Sequence, residues 1–200
     1  MTDTRMEKKF IDGLADTVSN SVLEGVLYEN FKELGVPSYT EEELCFADAL
    51  SKTYAGSEGI PGIAAQNDPE LAEEVKAMQR ETGRAMNAFL APLYRGAAFS
   101  PGSTDVGDVS WLAPTAQIHV AAWPNGCPGH SWQNVSSGGS SIGRKAAVHA
   151  AKVLAAAAVD LFEQPGLLKA AREEFERRTA AGYVWPIPAD AAPVGPDWDI

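Results

Sequence analysis

The sequence has 200 residues, 45% of them hydrophobic, and a formal net charge of −11 at pH 7. A chain of this size and composition can bury one hydrophobic core, so a single globular unit is expected. The strong acidity argues against nucleic acid or an anionic membrane as a partner, because both attract basic surfaces.

The composition also excludes several other classes of protein. No apolar run is long enough to span a bilayer, which argues against an integral membrane protein. The N-terminal run MTDTRMEKKF has no apolar signal core, so we expect a cytoplasmic protein. The two cysteines, Cys45 and Cys127, are too few for a disulfide framework or a zinc knuckle.

The first half of the chain is predicted to be mainly helical. Residues 9–18 alternate loosely and predict one strand. Asn20 is a typical N-cap for a helix over residues 21–34, where apolar side chains recur at helical spacing. Residues 40–54 open with Thr and Glu three positions apart, a capping box that predicts a second helix. An Asp-Pro pair predicts a third helix over residues 68–81.

Residues 102–145 combine polar, aromatic and glycine residues in a pattern that a plain core element would not show. Residues 102–105 predict a turn that ends in a helix cap, and residues 106–112 predict two helical turns. Residues 115–123 alternate and are rich in β-formers, which predicts a strand. A loop that follows a strand is a common place for binding residues.

The turn signal in residues 124–130 ends on a histidine, His130, at the exit of the predicted strand. Residues 136–141 (SSGGSS) are predicted to open a long helix, whose free N–H groups could hold a carboxylate. That helix is predicted over residues 142–162, and another over residues 166–181. The residues alone do not decide the role of His130. It is either a metal or substrate ligand or an ordinary surface histidine.

Helices outnumber strands in these predictions, and helices separate the strands along the chain. This order predicts an α/β fold in which a mixed sheet is covered by helices. The sequence contains no internal repeat.

Several separate motifs, in order, resemble one known family. The runs GSTDVGDVSW, PTAQ, PGHSWQ and SSI..K look like the C-terminal part of the dinuclear-metal amidohydrolase and aminoacylase family of metallopeptidases. Within that family, the chain most resembles the branch of the p-aminobenzoyl-glutamate hydrolase B-subunit. That branch also has segments like residues 20–50 and like the tail YVWPIPADAAP, residues 183–193.

The resemblance implies the C-terminal portion of an α/β catalytic domain, incomplete relative to the family. Complete members interrupt this domain with a smaller dimerisation domain. Residues 1–19 would be the end of that dimerisation domain and the return linker. Residues 20–200 would be the C-terminal half of the catalytic domain.

The resemblance also implies roles for individual residues. His130, in PGHSWQ, would be a terminal metal ligand. Asp105, supported by Ser103, would lie near the active site, although a helix-capping role for Asp105 is equally plausible. A glycine-serine segment would hold the substrate's free carboxylate; its residues are Gly138, Gly139, Ser140 and Ser141.

Other titratable residues are interpreted as structural. His119 and His149 are expected in the core or on an element's face, and Cys127 as a small buried side chain. The helical glutamate pairs are expected on solvated faces; they are Glu41-Glu42, Glu73-Glu74 and Glu173-Glu174. Arg144 and Lys145 could pair with a substrate carboxylate, although a solvated position is the default.

By resemblance, the complete enzyme would be a homodimer or heteromer with two zinc or manganese ions. It would hydrolyse an N-acyl amino acid amide bond, in a p-aminobenzoyl-glutamate-like or dipeptide-like substrate. The general base and most metal ligands would lie outside these residues, so we expect the chain alone to be inactive. The alternative is a non-enzymatic truncated subunit or interaction module that retains the fold.

Overall fold

The structure is a computed structural model that describes residues 4–7, 12–56, 68–94, 96, 102 and 104–191. Helices dominate this part of the chain; they are α1 (Ser21–Leu34), α2 (Glu41–Ser51), α3 (Pro69–Thr82), α4 (Val106–Leu112), α5 (Trp132–Gly138), α6 (Ser141–Glu163) and α7 (Pro165–Arg178). None of these helices is both long and apolar enough to cross a membrane.

The side-chain caps that predicted the first three helices are present. Asn20 accepts a hydrogen bond from Leu23 N at 3.1 Å and starts α1. Thr40 and Glu43 form the reciprocal capping box of α2. Asp68 caps α3 directly before its N-terminal proline. These short polar side chains satisfy N–H groups that the helix leaves without partners, which is why they fix where each helix begins.

The predicted α/β sheet is wrong for the part of the chain that the structure describes. No strand forms there, and one isolated parallel bridge joins Ser19 to Thr115. The predicted strand over residues 9–18 is absent from residues 12–18, and residues 8–11 lie outside the described part.

The predicted strand over residues 115–123 is also wrong, although its alternation of burial is real. Ala116, Ile118 and Val120 pack against a core cluster, whereas Gln117 and His119 are exposed. A strand also needs a neighbouring backbone to pair with, and the described residues supply one only at Thr115. One face of the segment is therefore buried, but no ladder forms among the described residues.

Two apolar clusters hold the helices together. Leu27 and Phe31 of α1 pack on Val153 and Ala157 of α6. A second cluster joins α2 to the start of α6 and to the loop after α3; its buried members are Ala47, Met86 and Ile142. The long helix α6 therefore belongs to both clusters and connects the two parts of the core.

A buried carboxylate ties the start of α1 to α7. Glu174 is only 4% exposed and accepts hydrogen bonds from Ser21 N at 3.1 Å, Ser21 Oγ at 2.9 Å and Val22 N at 3.1 Å. Burial alone would raise its pKa, but these donors and the Arg178 guanidinium outweigh burial and lower it. The prediction that Glu174 lies on a solvated face is therefore wrong, because the first turn of α1 covers its carboxylate.

The short helix α4 holds the segment that precedes α1. Asp108 accepts from Ala15 N at 3.3 Å and Ser110 from Val18 N at 2.8 Å. Gly107 is buried, and a Cβ at this position would lie 1.9 Å from Ala15 O. The glycine therefore permits this close approach. The division of the chain into two units at residue 19 stays a prediction.

Candidate functional site

The candidate site is the loop of residues 124–131, which is anchored firmly at both of its ends. Asn125 N donates to Ala85 O at 2.8 Å, and the Tyr54 hydroxyl donates to Asn125 O at 2.8 Å. On the far side, Gln133 is buried and donates from Nε2 to Thr53 Oγ1 at 3.2 Å. The residues that follow α2 thus position the loop from both sides.

His130 has an unusual backbone conformation within this loop. Its φ is +54°, and no other non-glycine residue in the described part of the chain has a positive φ. This left-handed region costs an L-residue about 1–2 kcal/mol, and glycine adopts it without that cost. The imidazole is exposed to solvent rather than packed into apolar side chains. A strained, exposed histidine on an anchored loop supports a functional interpretation.

Large apolar side chains next to His130 also face solvent. Trp132 is 61% exposed and Val135 is 72% exposed, both on the outer face of α5. Ser131 caps this helix by accepting from Asn134 N at 3.2 Å. Helix α5 was not predicted, because residues 136–141 were interpreted as the start of the long helix, whereas α6 begins only at Ser141.

Cys127 is a half-buried free thiol in the same loop. Partial burial raises the pKa of its thiol, although a hydrogen bond with Ser131 lowers it in part. The interpretation of Cys127 as a small structural side chain stays a prediction.

Nowhere in the described ranges do three His, Cys, Asp or Glu side chains come together as a possible metal site. A structural or catalytic zinc needs at least three protein ligands. His130 could supply one imidazole, and the other ligands would have to come from elsewhere.

The predicted carboxylate-binding segment lies at the junction of α5 and α6. Gly138 ends α5, Gly139 follows it, and Ser140 caps α6 by accepting from Ile142 N at 3.1 Å. Ser141 is the first residue of α6. The four residues form a continuous turn at a helix start, and a carboxylate-binding role for them stays a prediction.

Asp105 occupies the N-cap position of α4, but its side chain makes no capping hydrogen bond. The nearby Thr104 hydroxyl instead accepts from Val106 N at 3.4 Å. The capping alternative for Asp105 therefore lacks its hydrogen bond, and the carboxylate is exposed. Ser103, predicted to support it, lies outside the described residues.

Lys145 has structural partners rather than a solvated position. Its Nζ lies 2.6 Å from Glu43 Oε2 and 3.0 Å from Ser38 O. Hydrogen bonds from Lys145, Ser141 and Thr40 lower the pKa of Glu43 from its ordinary 4.5 to about 2. This ion pair joins the capping box of α2 to the first turn of α6.

Replacing Glu43 with glutamine is expected to lower the free energy of unfolding by about 1–3 kcal/mol at pH 7. The ionised form stabilises the fold fully above the unfolded pKa. That contribution is lost as the pH falls from 4.5 towards about 2, since the folded pKa is the lower one. Urea unfolding of the variant should therefore vary less over this pH range than that of the parent.

The exposed neighbour Glu42 in the same helical turn is the matched control. Glu42→Gln should leave both the stability at pH 7 and its dependence on acid nearly unchanged. Equal effects of the two substitutions would contradict the structural role of Glu43.

The remaining two histidines lie in different surroundings. His119 is on the exposed side of residues 116–120, and His149 is buried with its ring centroid 5.1 Å from that of Phe31. The supports of the candidate loop were missed, because Tyr54 and Gln133 reach partners 71 and 80 residues away in sequence. No local pattern marks contacts at that separation.

Comparison with known proteins gives one informative match. The chain is 34% identical over 197 residues to the p-aminobenzoyl-glutamate hydrolase B-subunit of Escherichia coli (strain K12). The match covers 96% of this chain and 40% of that protein, so the chain spans about two fifths of the relative's length. No family model matches the chain. No solved structure matches it either.

Proposed function

We propose that this chain is one part of a metal-dependent amidohydrolase that cleaves the amide bond of an N-acyl amino acid. The substrate class is p-aminobenzoyl-glutamate or a similar acyl-amino acid or dipeptide. The observation that carries the proposal is the 34% identity to the p-aminobenzoyl-glutamate hydrolase B-subunit across 96% of the chain.

In this proposal His130 supplies one imidazole to a site for zinc or manganese ions. The loop anchored by Tyr54 and Gln133 holds that imidazole at the surface, exposed and in a fixed backbone conformation. The general base and the other ligands are proposed to belong to polypeptide outside this chain. The complete enzyme is proposed to be a dimer or a heteromer.

An exposed apolar face on α6 supports the need for further polypeptide. One face of this helix is buried in the core, yet apolar residues also line much of its solvent side. We call the exposed set the outer α6 face; its members are Ala147, Ala151, Leu154, Ala155, Ala158, Val159 and Phe162. A helix that is apolar on opposite sides is normally buried on both. Contiguous exposed apolar patches commonly mark interaction sites.

Hydrolysis of p-aminobenzoyl-glutamate tests the proposal. The chain is assayed with added zinc or manganese, alone and together with the part of the Escherichia coli relative that the match leaves out, here called the complementing part. We expect no turnover by the chain alone and release of p-aminobenzoate when both are present. The complementing part alone should also be inactive.

Turnover by the isolated chain would contradict the claim that it needs further ligands. A stable complex that never hydrolyses the substrate would contradict the hydrolase function and favour the non-enzymatic interaction module. Substitution of Ala155 by glutamate on the outer α6 face should prevent complex formation, whereas Lys169→Gln on exposed α7 should not.

A further inference from the structure

A second surface feature is a groove that combines positively charged and apolar side chains. No residue of the loop 124–131 lines it. It has a volume of about 470 Å³ and lies between residues 34–38 and the N-terminal half of α6. Three cationic side chains line it, and no carboxylate does; the cations are Arg144, Lys145 and Lys152. We call it the Lys152 groove.

The positive charge of the groove is only partly neutralised. Glu43 pairs with Lys145 at 2.6 Å, whereas Arg144 Nη1 reaches only a backbone carbonyl, Gly139 O, at 3.3 Å. Within the described part of the chain, neither Arg144 nor Lys152 forms an ion pair. Two positive charges therefore remain uncompensated at one groove of a chain whose net charge is −11. Such a local excess attracts an anion.

A buried imidazole in the wall of the groove lacks a hydrogen-bond partner. His149 lines the groove and is 9% exposed, and its Nε2 is the buried side-chain polar atom without a partner among the described residues. Buried polar atoms in folded proteins are nearly always hydrogen-bonded, so an orphaned one needs an explanation. This atom has almost no accessible surface, so a ligand oxygen in the groove would supply the missing partner only after neighbouring side chains move aside.

Four apolar side chains and two serines make up the rest of the wall. Leu34, Val36 and Pro37 line the groove together with Val148, which is 57% exposed, and the serines are Ser38 and Ser141. Pockets of about 300–1,000 Å³ are typical of small-molecule sites. The volume therefore suits a ligand of the size of one aromatic ring with a charged substituent.

We propose that the Lys152 groove binds a small organic carboxylate with an aromatic or branched apolar body. The carboxylate lies between Arg144 and Lys152, and the apolar body covers Val36 and Pro37. A shift of the side chains around His149 would let its Nε2 donate a hydrogen bond to the carboxylate. This site is separate from the loop that carries His130. The proposal stands whether or not the chain is part of a hydrolase.

Benzoate is the probe that tests this proposal, and the isolated chain is the protein. Heteronuclear NMR titration should show saturable shifts confined to residues around α6 and residues 34–38. A dissociation constant of about 1 mM or lower is expected for so small a ligand. Benzyl alcohol, which lacks the charge, and acetate, which lacks the apolar body, should each bind at least about 10-fold more weakly.

Two variants and one control complete the test. Lys152→Gln and Arg144→Gln should each weaken benzoate binding at least about 5-fold, since each removes one of the two uncompensated charges. Lys169→Gln, on the exposed face of α7, should leave binding unchanged. All three positions are exposed, so the fold should persist, which circular dichroism checks.

The proposal is overturned if benzoate gives no saturable shifts in the millimolar range. It is also overturned if the shifts map away from the groove, or if benzyl alcohol and benzoate bind equally. Binding that survives both Lys152→Gln and Arg144→Gln would likewise contradict it. None of these outcomes depends on hydrolysis, so failure here and failure of the proposed function are distinguishable.

Discussion

Replacing His130 with glycine is expected to stabilise the isolated chain while removing activity from the complemented enzyme. Glycine adopts the φ of +54° without the steric cost that an L-residue bears, so the free energy of unfolding should rise by about 1 kcal/mol. Hydrolysis should fall by more than the roughly 10–100-fold that follows loss of a residue supporting a metal ligand. Urea unfolding and p-aminobenzoate release measure the two effects.

The opposite signs of the two effects make this prediction specific. His119 is a matched control, since it is exposed but does not have a positive φ. His119→Gln should leave both stability and hydrolysis nearly unchanged. If His130→Gly lowered stability, the strained conformation would not be real. If it left hydrolysis intact, His130 would not be a functional residue.

Replacing Gly143 with alanine is expected to destabilise the chain strongly, although alanine favours helices. A Cβ at this position in α6 would lie 2.1 Å from Gly138 O and 2.7 Å from Gly138 C, both backbone atoms of α5. The end of α5 would have to move away, at a cost of about 1–3 kcal/mol or more. Urea unfolding should therefore show a loss of about 2 kcal/mol.

Two other helical glycines separate the clash from helix propensity. Gly166 in α7 and Gly138 in α5 have nothing within 4 Å of an added Cβ. Alanine at Gly166 should therefore stabilise the chain by about 0.5–1 kcal/mol. Alanine at Gly138 should not destabilise it. If Gly143→Ala behaved like Gly166→Ala, the close contact between α5 and α6 would be absent.

The starts of the first three helices were predicted because local chemistry decides them. The start of α1 at Asn20 and the capping box of Thr40 and Glu43 lie where their patterns place them. The reason is that a cap involves residues three positions apart, so one short stretch of sequence contains both partners. The Asp-Pro start of α3 follows the same rule.

The strand at residues 115–123 shows where such reasoning stops. The alternation is real, since Ile118 packs against the core and His119 is exposed. It could not predict whether another backbone lies alongside, because pairing depends on residues far away in sequence. The α/β prediction was wrong for this reason, since it assumed partners that the described residues do not provide.

Long-range contacts account for the other corrections. Glu174 has the sequence pattern of a solvated helix face, and its burial depends on Ser21, 153 residues earlier. The supports of the His130 loop come from the residues that follow α2, and the positive φ of His130 has no local sequence signature. The resemblance of PGHSWQ singled out His130, and the structure adds the positive φ that distinguishes it from the exposed His119.

Zinc binding tests the central claim, that this chain supplies one imidazole to a metal site completed by residues outside it. Calorimetric titration would compare the isolated chain, the complementing part and their complex. We predict that the isolated chain binds no zinc in stoichiometric amounts, that the complex does, and that His130→Gly weakens binding by the complex. Stoichiometric zinc binding by the isolated chain, or a complex whose zinc affinity is indifferent to His130, would contradict the account.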